Sequence, residues 1–445
     1  MLKGLANAFR VPELRKKLLL TCGILLLYRF GAYLPVPGVP FQDMLGAYQA
    51  GLSSNGAMAV LNLFSGGALS RMSVFSLGIM PYITAQIILQ LMQAVIPGLG
   101  ELAKEGEAGQ RKITQYTRYL TIGLALLNAV GYLFLFGSYG VSFANMGIPV
   151  ALENVIVVFT LLVGAIIIMW LGEVITQRGI GNGMSLIIFA NIMSGLPTSL
   201  ISSVTTTGNV VLTVITLLVI IAIIPVIVYV ERGQRRIPVQ YAKRVVGRRM
   251  MGGQSTYLPI KVNTAGVVPI IFASAVLYLP AQLAVFFPTV GWVQAVASAL
   301  STGWLNWVLS VLLIVAFAYF YSSMVFNPTE TADQLRKQGG FIPGVRPGAA
   351  TADYIKDCID HVTLPGALFM AILAVVPTII FWFTGNSLIQ AFGGTSVLIM
   401  VGVAMDTLSS LESQLKMHNY DGFFKSVRCE GRQAICLPSF CFRKG

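Results

Sequence analysis

The stretch NLFSGGALSRMSVFSLGIMPYITAQIILQLM, residues 62–92, decides the fold of this protein. Its second half, from about Phe75, is apolar and long enough to cross a bilayer, because a membrane helix needs about 20 predominantly apolar residues. Its first half is different, since it holds Gly66, Gly67, serines and Arg71. A short, glycine-rich segment with a single charge therefore precedes a membrane helix directly, and the two have to be explained together.

The composition of the whole chain is that of a protein that crosses a bilayer many times. Of its 445 residues, 56% are hydrophobic and 11% are charged, whereas soluble domains carry about 25% charged residues. Ten apolar windows predict an all-α polytopic membrane protein with ten transmembrane helices. The windows are residues 18–36, 75–94, 116–137, 154–174, 184–202, 210–230, 265–287, 304–325, 364–384 and 393–409.

Basic residues precede the first window, as they do in cleaved signal peptides. No small-residue cleavage site follows, and the run continues through YRFGAYLPVPGVP, so we interpret it as the first membrane span. The five cysteines are too few and too scattered to predict a disulfide framework or a metal site, and no cofactor is expected.

The distribution of Lys and Arg predicts the orientation of the chain. With ten spans the connecting segments alternate between the two sides, and the basic side is the cytoplasmic one. The odd-numbered loops hold one Arg between them, Arg71, while nearly all other basic residues lie in the amino-terminal segment, the even-numbered loops and the carboxy-terminal tail. We therefore expect both termini in the cytoplasm and the net charge of +13 concentrated on that face.

Two of the expected cytoplasmic loops are long. Residues 231–263 hold eight Lys and Arg against Glu231. Attraction to anionic lipid, about 1 kcal/mol per basic residue, is one explanation; a docking surface for RNA phosphate or an acidic protein is the other. Residues 326–362 carry charges of both signs and two Pro-Gly turns that would present Arg346 at a tip, unless this loop is only a solvated connector.

The predicted spans lack the groups that ion-coupled transport or catalysis needs. Glu153, Glu173 and Asp406 fall at the ends of windows, so we expect no buried carboxylate. No Walker-type phosphate loop, metalloprotease motif or catalytic triad can be assembled, and the chain is not expected to be an enzyme. The sequence GIGNG, Gly179–Gly183, is interpreted as a tight turn between the fourth and fifth helices rather than as half of a dinucleotide fingerprint.

Several long stretches resemble the SecY family, the channel subunits of the bacterial Sec protein translocase. Among them are LNLFSGGALSRMSVFSLGIMPYITAQII, MWLGEVITQRGIGNGMSLIIFANI, ERGQRRIPVQYAKR and FNPTETADQLRKQGGFIPGVRPG, in the family's order and spacing over roughly residues 1–425. The resemblance implies two inverted five-helix halves around a central pore, residues 1–205 and 206–410, followed by a cytoplasmic tail, residues 411–445. After about residue 424 the tail, with three cysteines, departs from the family pattern.

The resemblance also implies that the segment before the second span is a plug, here about residues 62–73. A helical piece of about 11 residues would be about 16 Å long, so it fills a funnel but cannot span a bilayer. The implied plug residues are Asn62, Phe64, Ser65, Gly66, Gly67, Leu69 and Arg71.

Two further sets of residues are implied by the resemblance. A constriction of apolar side chains, which excludes water by dewetting, corresponds to Ile79, Ile83, Met184, Ile188, Ile271 and Ile399. A lateral gate between the second and third spans and the seventh and eighth corresponds to Thr84, Gln86, Asn128, Asn263 and Ser274. Taken alone, the isoleucines are typical of a packing face and the polar groups of interhelical hydrogen bonds.

The implied partners are SecE and SecG, the SecA ATPase, the ribosome, membrane lipid and polypeptides that bear signal sequences. Arg248, Arg249 and Arg346 are the positions that would dock SecA or the ribosome, since the planar Arg fork binds phosphate and carboxylate alike. We therefore expect a protein-conducting channel in the bacterial inner membrane. A secondary transporter of small solutes and a scaffold that recruits ribosomes are the alternatives.

Overall fold

The computed structural model describes residues 11–39, 44, 46, 65–138, 149–207, 210–241, 244–246, 249–251, 255–263, 266–286, 291–301, 304–384 and 394–434. Over these residues the chain is mostly helical, as predicted. The α-helices are α1 (Pro12–Gly31), α2 (Met80–Val95), α3 (Pro97–Lys104), α4 (Glu107–Ser138), α5 (Val150–Arg178), α6 (Gly183–Thr207), α7 (Val210–Glu231), α8 (Val268–Phe286), α9 (Gly291–Ser301), α10 (Trp304–Val325), α11 (Pro328–Lys337), α12 (Ala349–Thr384) and α13 (Gly394–Ala434).

Each predicted window overlaps one of these helices. Judged by length and apolar composition, five of the described helices can cross a membrane, or six if α2 and α3 are counted as one broken span. The described residues of α6, α7 and α8 supply shorter apolar stretches. The axes of α2 and α3 differ by 106°, because Ile96, the residue before Pro97, is extended and a residue in that position avoids the helical conformation.

The second apolar window begins with turns rather than with helix. Residues 74–79 form turns, and α2 starts at Met80 instead of near Phe75. Gly78 has a φ of 58°, which a right-handed helix does not accommodate. Pro81 lies in the first turn of α2, where its missing N–H costs no helical hydrogen bond.

The two long loops contain β-structure, so the all-α prediction is wrong for these segments. The strands are β1 (Gln234–Tyr241), β2 (Arg244–Val246), β3 (Arg249–Met251), β4 (Ser255–Lys261) and β5 (Gly340–Phe341). The strand β1 pairs in antiparallel fashion with β4 on one side and β5 on the other, while β2 pairs with β3. The alternation of buried Ile237 and Val239 with exposed neighbours is the period-2 pattern of a strand, which the abundant Arg residues obscured.

These strands join the two loops into one small unit with its own core. Ile237 and Val239 of β1 pack with Ile260 of β4, Leu335 of α11 and Ile355 of α12. Arg235 and Arg236, near the start of β1, are both exposed although their side chains alternate between the two faces of the strand. Residues from segments about 100 positions apart in the chain therefore present one surface.

The membrane helices pack around one large apolar core. Within it α2 packs on α4, α4 on α5, α8 on α10, and α12 on both α10 and α13. Two further sets of contacts connect helices of residues 80–207 with helices of residues 210–434: α8 lies against α2 and α4, and α6 lies against α7 and α13. We call these two interfaces between helices seams. The seam between α8 and the pair α2 and α4 runs between helices assigned to the lateral gate.

The prediction of a tight turn at GIGNG is confirmed. The helix α5 ends at Arg178, α6 begins at Gly183, and Gly181 between them has a φ of 76°. The Thr176 hydroxyl donates to the carbonyl of Gly172, 2.9 Å away, and accepts from the Gly183 N–H, also at 2.9 Å. Thr176 therefore caps the first turn of α6 and fixes the angle between the two helices.

Candidate functional site

The six ring residues are all buried in the large core. Their exposed fractions lie between 1% and 7%. Ile79 immediately precedes α2, and the other five lie in the first two turns of α2, α6, α8 and α13. Both pairs at i and i+4, Ile79 with Ile83 and Met184 with Ile188, lie on one helix face. The structure therefore buries apolar side chains from four helix beginnings in the same large core.

The sequence around Met184 explains how its side chain is placed. Gly172 of α5 lies so close to the thioether that a Cβ added there would overlap the Met184 sulfur. The Asn182 side chain accepts a hydrogen bond from the Met184 N–H at 3.0 Å. Together with the Thr176 cap, these contacts fix the start of α6 and hence the positions of Met184 and Ile188.

After Ser65, which is helical, the described part of the plug segment is made of turns. Gly66 and Gly67 have φ values of 66° and 84°, and one 3₁₀ turn covers Leu69–Arg71. The expected helical piece of about 11 residues is therefore wrong for residues 66–73, because two consecutive residues at positive φ cannot continue a right-handed helix. Ser65 and Leu69 are nevertheless buried. Asn62 and Phe64 lie outside the described residues.

Backbone hydrogen bonds join this segment to the chain that follows α1. The N–H of Val36 donates to the carbonyl of Met72 at 3.0 Å, and the N–H of Val74 donates to the carbonyl of Leu34 at 2.9 Å. Pro35 and Ser73 form an antiparallel bridge between these two bonds. The carboxyl end of the plug segment is thus paired with residues 34–36 like a short strand.

Side chains of α1 contact the same segment. Tyr28 stacks on Phe75 with ring centroids 5.6 Å apart, and the guanidinium of Arg29 donates to the carbonyl of Gly66 at 3.1 Å. The guanidinium of Arg71 lies 4.4 Å from the centroid of the Tyr33 ring. Arg29 and Tyr33 were not among the predicted site residues, although a charge inside the first apolar window is a signal that could have identified Arg29.

The five residues predicted for the lateral gate fall into two groups: four lie on α2, α4 and α8, and Asn263 lies elsewhere. Thr84 donates to the carbonyl of Met80 at 3.0 Å, and Ser274 donates to the carbonyl of Ile271 at 2.9 Å, so each hydroxyl proton is bound within its own helix. Gln86 and Asn128 are half-buried on α2 and α4, the helices that α8 packs against.

Asn263 lies apart from this seam. Its amide donates to the carbonyl of Gly266 at 3.0 Å and to the sulfur of Met370 at 3.4 Å. Asn263 also lines a cavity of about 20 Å³ with Glu231 of α7 and Met370 of α12. These contacts place Asn263 beside α7 and α12 rather than at the seam between α8 and the pair α2 and α4.

The predicted partner-binding residues lie in the two loops. Arg346 is exposed in a turn between Gly344 and Gly348, which have φ values of 87° and 117°. Its carbonyl accepts a hydrogen bond from Thr351 at 2.8 Å, which ties the turn to the start of α12. Arg249 is the first residue of β3. Arg248 lies outside the described residues.

The expectation of no buried carboxylate is wrong. Glu153 and Glu173 have exposed fractions of 0% and 9%. Glu173 of α5 accepts two hydrogen bonds from Arg118 of α4, at 2.9 and 2.6 Å. This bidentate pair neutralises Glu173 inside the protein. Among the described residues, no three His, Cys, Asp or Glu side chains are grouped to hold a metal ion.

Comparisons with known proteins agree with this arrangement. The sequence profile of the SecY family matches residues 73–408. The protein translocase subunit SecY of Streptomyces galbus is 45% identical over 437 residues, 96% of this chain and 100% of the relative. The SecY subunit of Mycobacterium tuberculosis strain H37Rv is 45% identical over 443 residues, with the same coverage.

Solved structures show the same fold. A structure described as that of a protein conducting channel has a TM-score of 0.61 at 21% sequence identity, and the match covers 89% of this chain and 91% of the other. Sec61 in a canine ribosome-channel complex has a TM-score of 0.57 at 20% identity, with the same coverage. From the profile and the full-length relatives it follows that this chain belongs to the SecY family.

Proposed function

We propose that this protein is the channel subunit through which unfolded polypeptides cross the bacterial plasma membrane, and from which hydrophobic segments are released into lipid. Its relatives bear the name of protein translocase subunit. The observation that carries the proposal is the burial of the six ring side chains at four helix beginnings, with the segment before α2 bonded to Arg29 of α1 and to residues 34–36. The chain itself acts as a conduit and not as an enzyme.

The six ring side chains would form the seal. A narrow neck lined only by Ile and Met excludes water and ions by dewetting, yet offers no specific site that would retain a passing chain. The flexible Met184 thioether can adapt to chains of different width. The plug segment would close the same neck in the resting state.

The seam between α8 and the pair α2 and α4 would be the lateral gate. Opening it breaks no donor bond of Thr84 or Ser274, because both hydroxyls bond within their own helices. A segment in the pore then partitions by its composition. Each Leu or Ile favours lipid by about 0.3–0.6 kcal/mol, whereas each charge disfavours it by about 2.5–3.5 kcal/mol.

The finer architecture follows from the same proposal. The ten helices that overlap the predicted windows would form two inverted halves, residues 1–205 and 206–410, with both termini and the unit of β1, β4 and β5 in the cytoplasm. Arg346 of the second loop, with Arg248 and Arg249 in the chain between β1 and β4, would dock SecA or the ribosome. SecE and SecG would be the membrane partners.

A secondary transporter is the less favoured function. Such a protein needs a charged or cation-coordinating group at a substrate site near the bilayer midplane. The buried Glu173 is bound by Arg118 and lies five positions before Arg178, the last residue of α5, so it belongs to a helix end. A ribosome-recruiting scaffold would require neither the apolar ring nor the plug.

Deletion of residues 62–73 tests the proposed function. We expect the intact chain, reconstituted with its SecE partner in planar bilayers, to be sealed to ions and the deletion to conduct, because the plug no longer covers the neck. Equal incorporation and similar thermal unfolding of both proteins provide the control. Equal and negligible currents from the two proteins would contradict the proposal and favour the scaffold.

A further inference from the structure

We infer that Arg29 is a positioning residue that holds the plug segment in its closed place, with Tyr33 and Arg71 as a second contact. The inference rests on the proposed function, because it assigns a cause to the closed state of that pore. The two contacts lie at opposite ends of the described plug segment, Gly66 and Arg71, so together they fix its position and its orientation.

Arg29 is in the last turn of α1, where the partial negative charge of the helix end favours a cation. An Arg near a helix end in a membrane commonly extends its side chain toward water. Here the half-buried guanidinium instead turns inward and donates to the Gly66 carbonyl at 3.1 Å. A hydrogen bond from a charged donor is among the stronger ones in proteins.

The shape of the plug segment depends on this contact. Gly66 has a φ of 66°, and a Cβ added there would lie 2.9 Å from the Arg29 guanidinium and 2.6 Å from the Asn191 amide oxygen of α6. Only a glycine lets the backbone approach both α1 and α6 so closely. Gly66 is thereby packed between the helix that carries Arg29 and the helix that carries Met184 and Ile188.

The second contact also uses a guanidinium, but the cation belongs to the plug and its partner is an aromatic ring. The plug supplies the cation, Arg71, and the chain after α1 supplies the partner, the ring of Tyr33. Arg29 itself lies 5.6 Å from the same ring centroid. The ring therefore lies near both guanidiniums and offsets their mutual repulsion by cation–π attraction. Displacement of the plug would separate Arg71 from Tyr33 and Gly66 from Arg29 together.

Ion conductance of Arg29→Gln in planar bilayers tests the inference. We expect the open fraction of the resting channel to rise about tenfold or more, the factor expected from loss of one hydrogen bond to a charged group. Arg29→Lys keeps the charge and one donor and should restore most of the seal. Arg15→Gln, an exposed Arg at the other end of α1, is the matched control and should be as tight as the intact chain.

Arg29→Gln combined with the plug deletion distinguishes loss of the contact with the plug from a general defect of the channel. In the channel lacking residues 62–73, Arg29→Gln should add no conductance, because its partner is absent. An additional leak in that background would overturn the inference, as would an Arg29→Gln channel that stays sealed while the plug deletion conducts. If the plug deletion itself carried no ion current, the proposed function would be overturned instead.

Tyr33 provides a second variant in case Arg29→Gln fails to fold. Tyr33 is 57% exposed, so its truncation should leave the core intact. We expect Tyr33→Ala to leak severalfold more than Tyr33→Phe, because Phe keeps the ring face that attracts Arg71. If both variants were as impermeable to ions as the intact chain, the role assigned to the contact between Tyr33 and Arg71 would be contradicted.

Discussion

Single residues of this protein show how charge is accommodated inside an apolar core. Glu173 is joined to Arg118 by two hydrogen bonds, and its side chain is 11% exposed whereas that of Arg118 is 41% exposed. A carboxylate left without its partner in such a place is costly. The two residues are 55 positions apart, so only the packing of α4 on α5 reveals that they meet.

Glu173→Gln is expected to lower the free energy of unfolding by roughly 1–3 kcal/mol. That is less than the ~3–5 kcal/mol for breaking a fully buried pair, because water partly screens Arg118. Thermal unfolding in detergent measures the change. Glu107→Gln is the matched control, since the pair of Glu107 with Arg111 is 84% and 77% exposed. An equal effect of the two substitutions would contradict the role assigned to burial.

At the scale of elements, turns and helix beginnings carry most of the proposed site. The ring residues lie at the starts of α2, α6, α8 and α13, and the turn between α5 and α6 sets the position of two of them. The turn itself follows from local sequence, since Gly181 and Thr176 act within a few residues of each other. The fit of Met184 against Gly172 instead depends on how the two helices cross.

Gly172→Ala is expected to destabilise the protein by about 1–3 kcal/mol, because the new methyl group overlaps the Met184 sulfur. Gly123→Ala on α4 should be neutral or stabilising, since nothing lies within 4 Å of its added Cβ and Ala is the better helix former. Thermal unfolding of the two variants and of Gly172→Ala with Met184→Ala measures the coupling. A double variant no more stable than Gly172→Ala alone would count against this packing account.

At the scale of the whole molecule, two long loops combine into one exposed unit. The strand β5 and helix α11 of the second loop pack on β1 and β4 of the first, so Arg235, Arg236 and Arg346 belong to one folded body. Residues 231–263, which supply β1 and β4, hold eight Lys and Arg, and a basic surface attracts acidic proteins and RNA. The unit is continuous with the helices, because β1 follows α7, β4 precedes α8, and Ile355 of α12 belongs to its core. A partner bound to this surface would therefore act on α7, α8 and α12 directly.

Arg346→Glu is expected to reduce SecA-driven export of a secretory protein at least tenfold while membrane assembly stays normal, because the charge change replaces attraction by repulsion at an exposed turn. Export into membrane vesicles measures it. Arg336→Glu makes the same charge change in the same loop, at a residue already paired with Asp333 at 3.2 Å. Equal losses in both variants would assign the effect to loop charge in general, and normal export with Arg346→Glu would refute the prediction.

The sequence by itself determined the helical class, the approximate place of each predicted window, the turn at GIGNG and the family. These properties depend on residues close together in the chain: apolar length, glycines at a helix end and long family motifs are all local. The boundary of α2 was predicted less well, because the turns at residues 74–79 are as apolar as the helix that follows.

Only the tertiary structure decided which distant residues meet. It joined Arg118 to Glu173 and Arg29 to Gly66, placed Asn263 beside Met370 rather than at the α8 seam, and paired β1 with β5 across about 100 residues. The physical reason is that a charged or polar side chain specifies the kind of partner it needs, while the packing of helices and strands decides which residue supplies that partner.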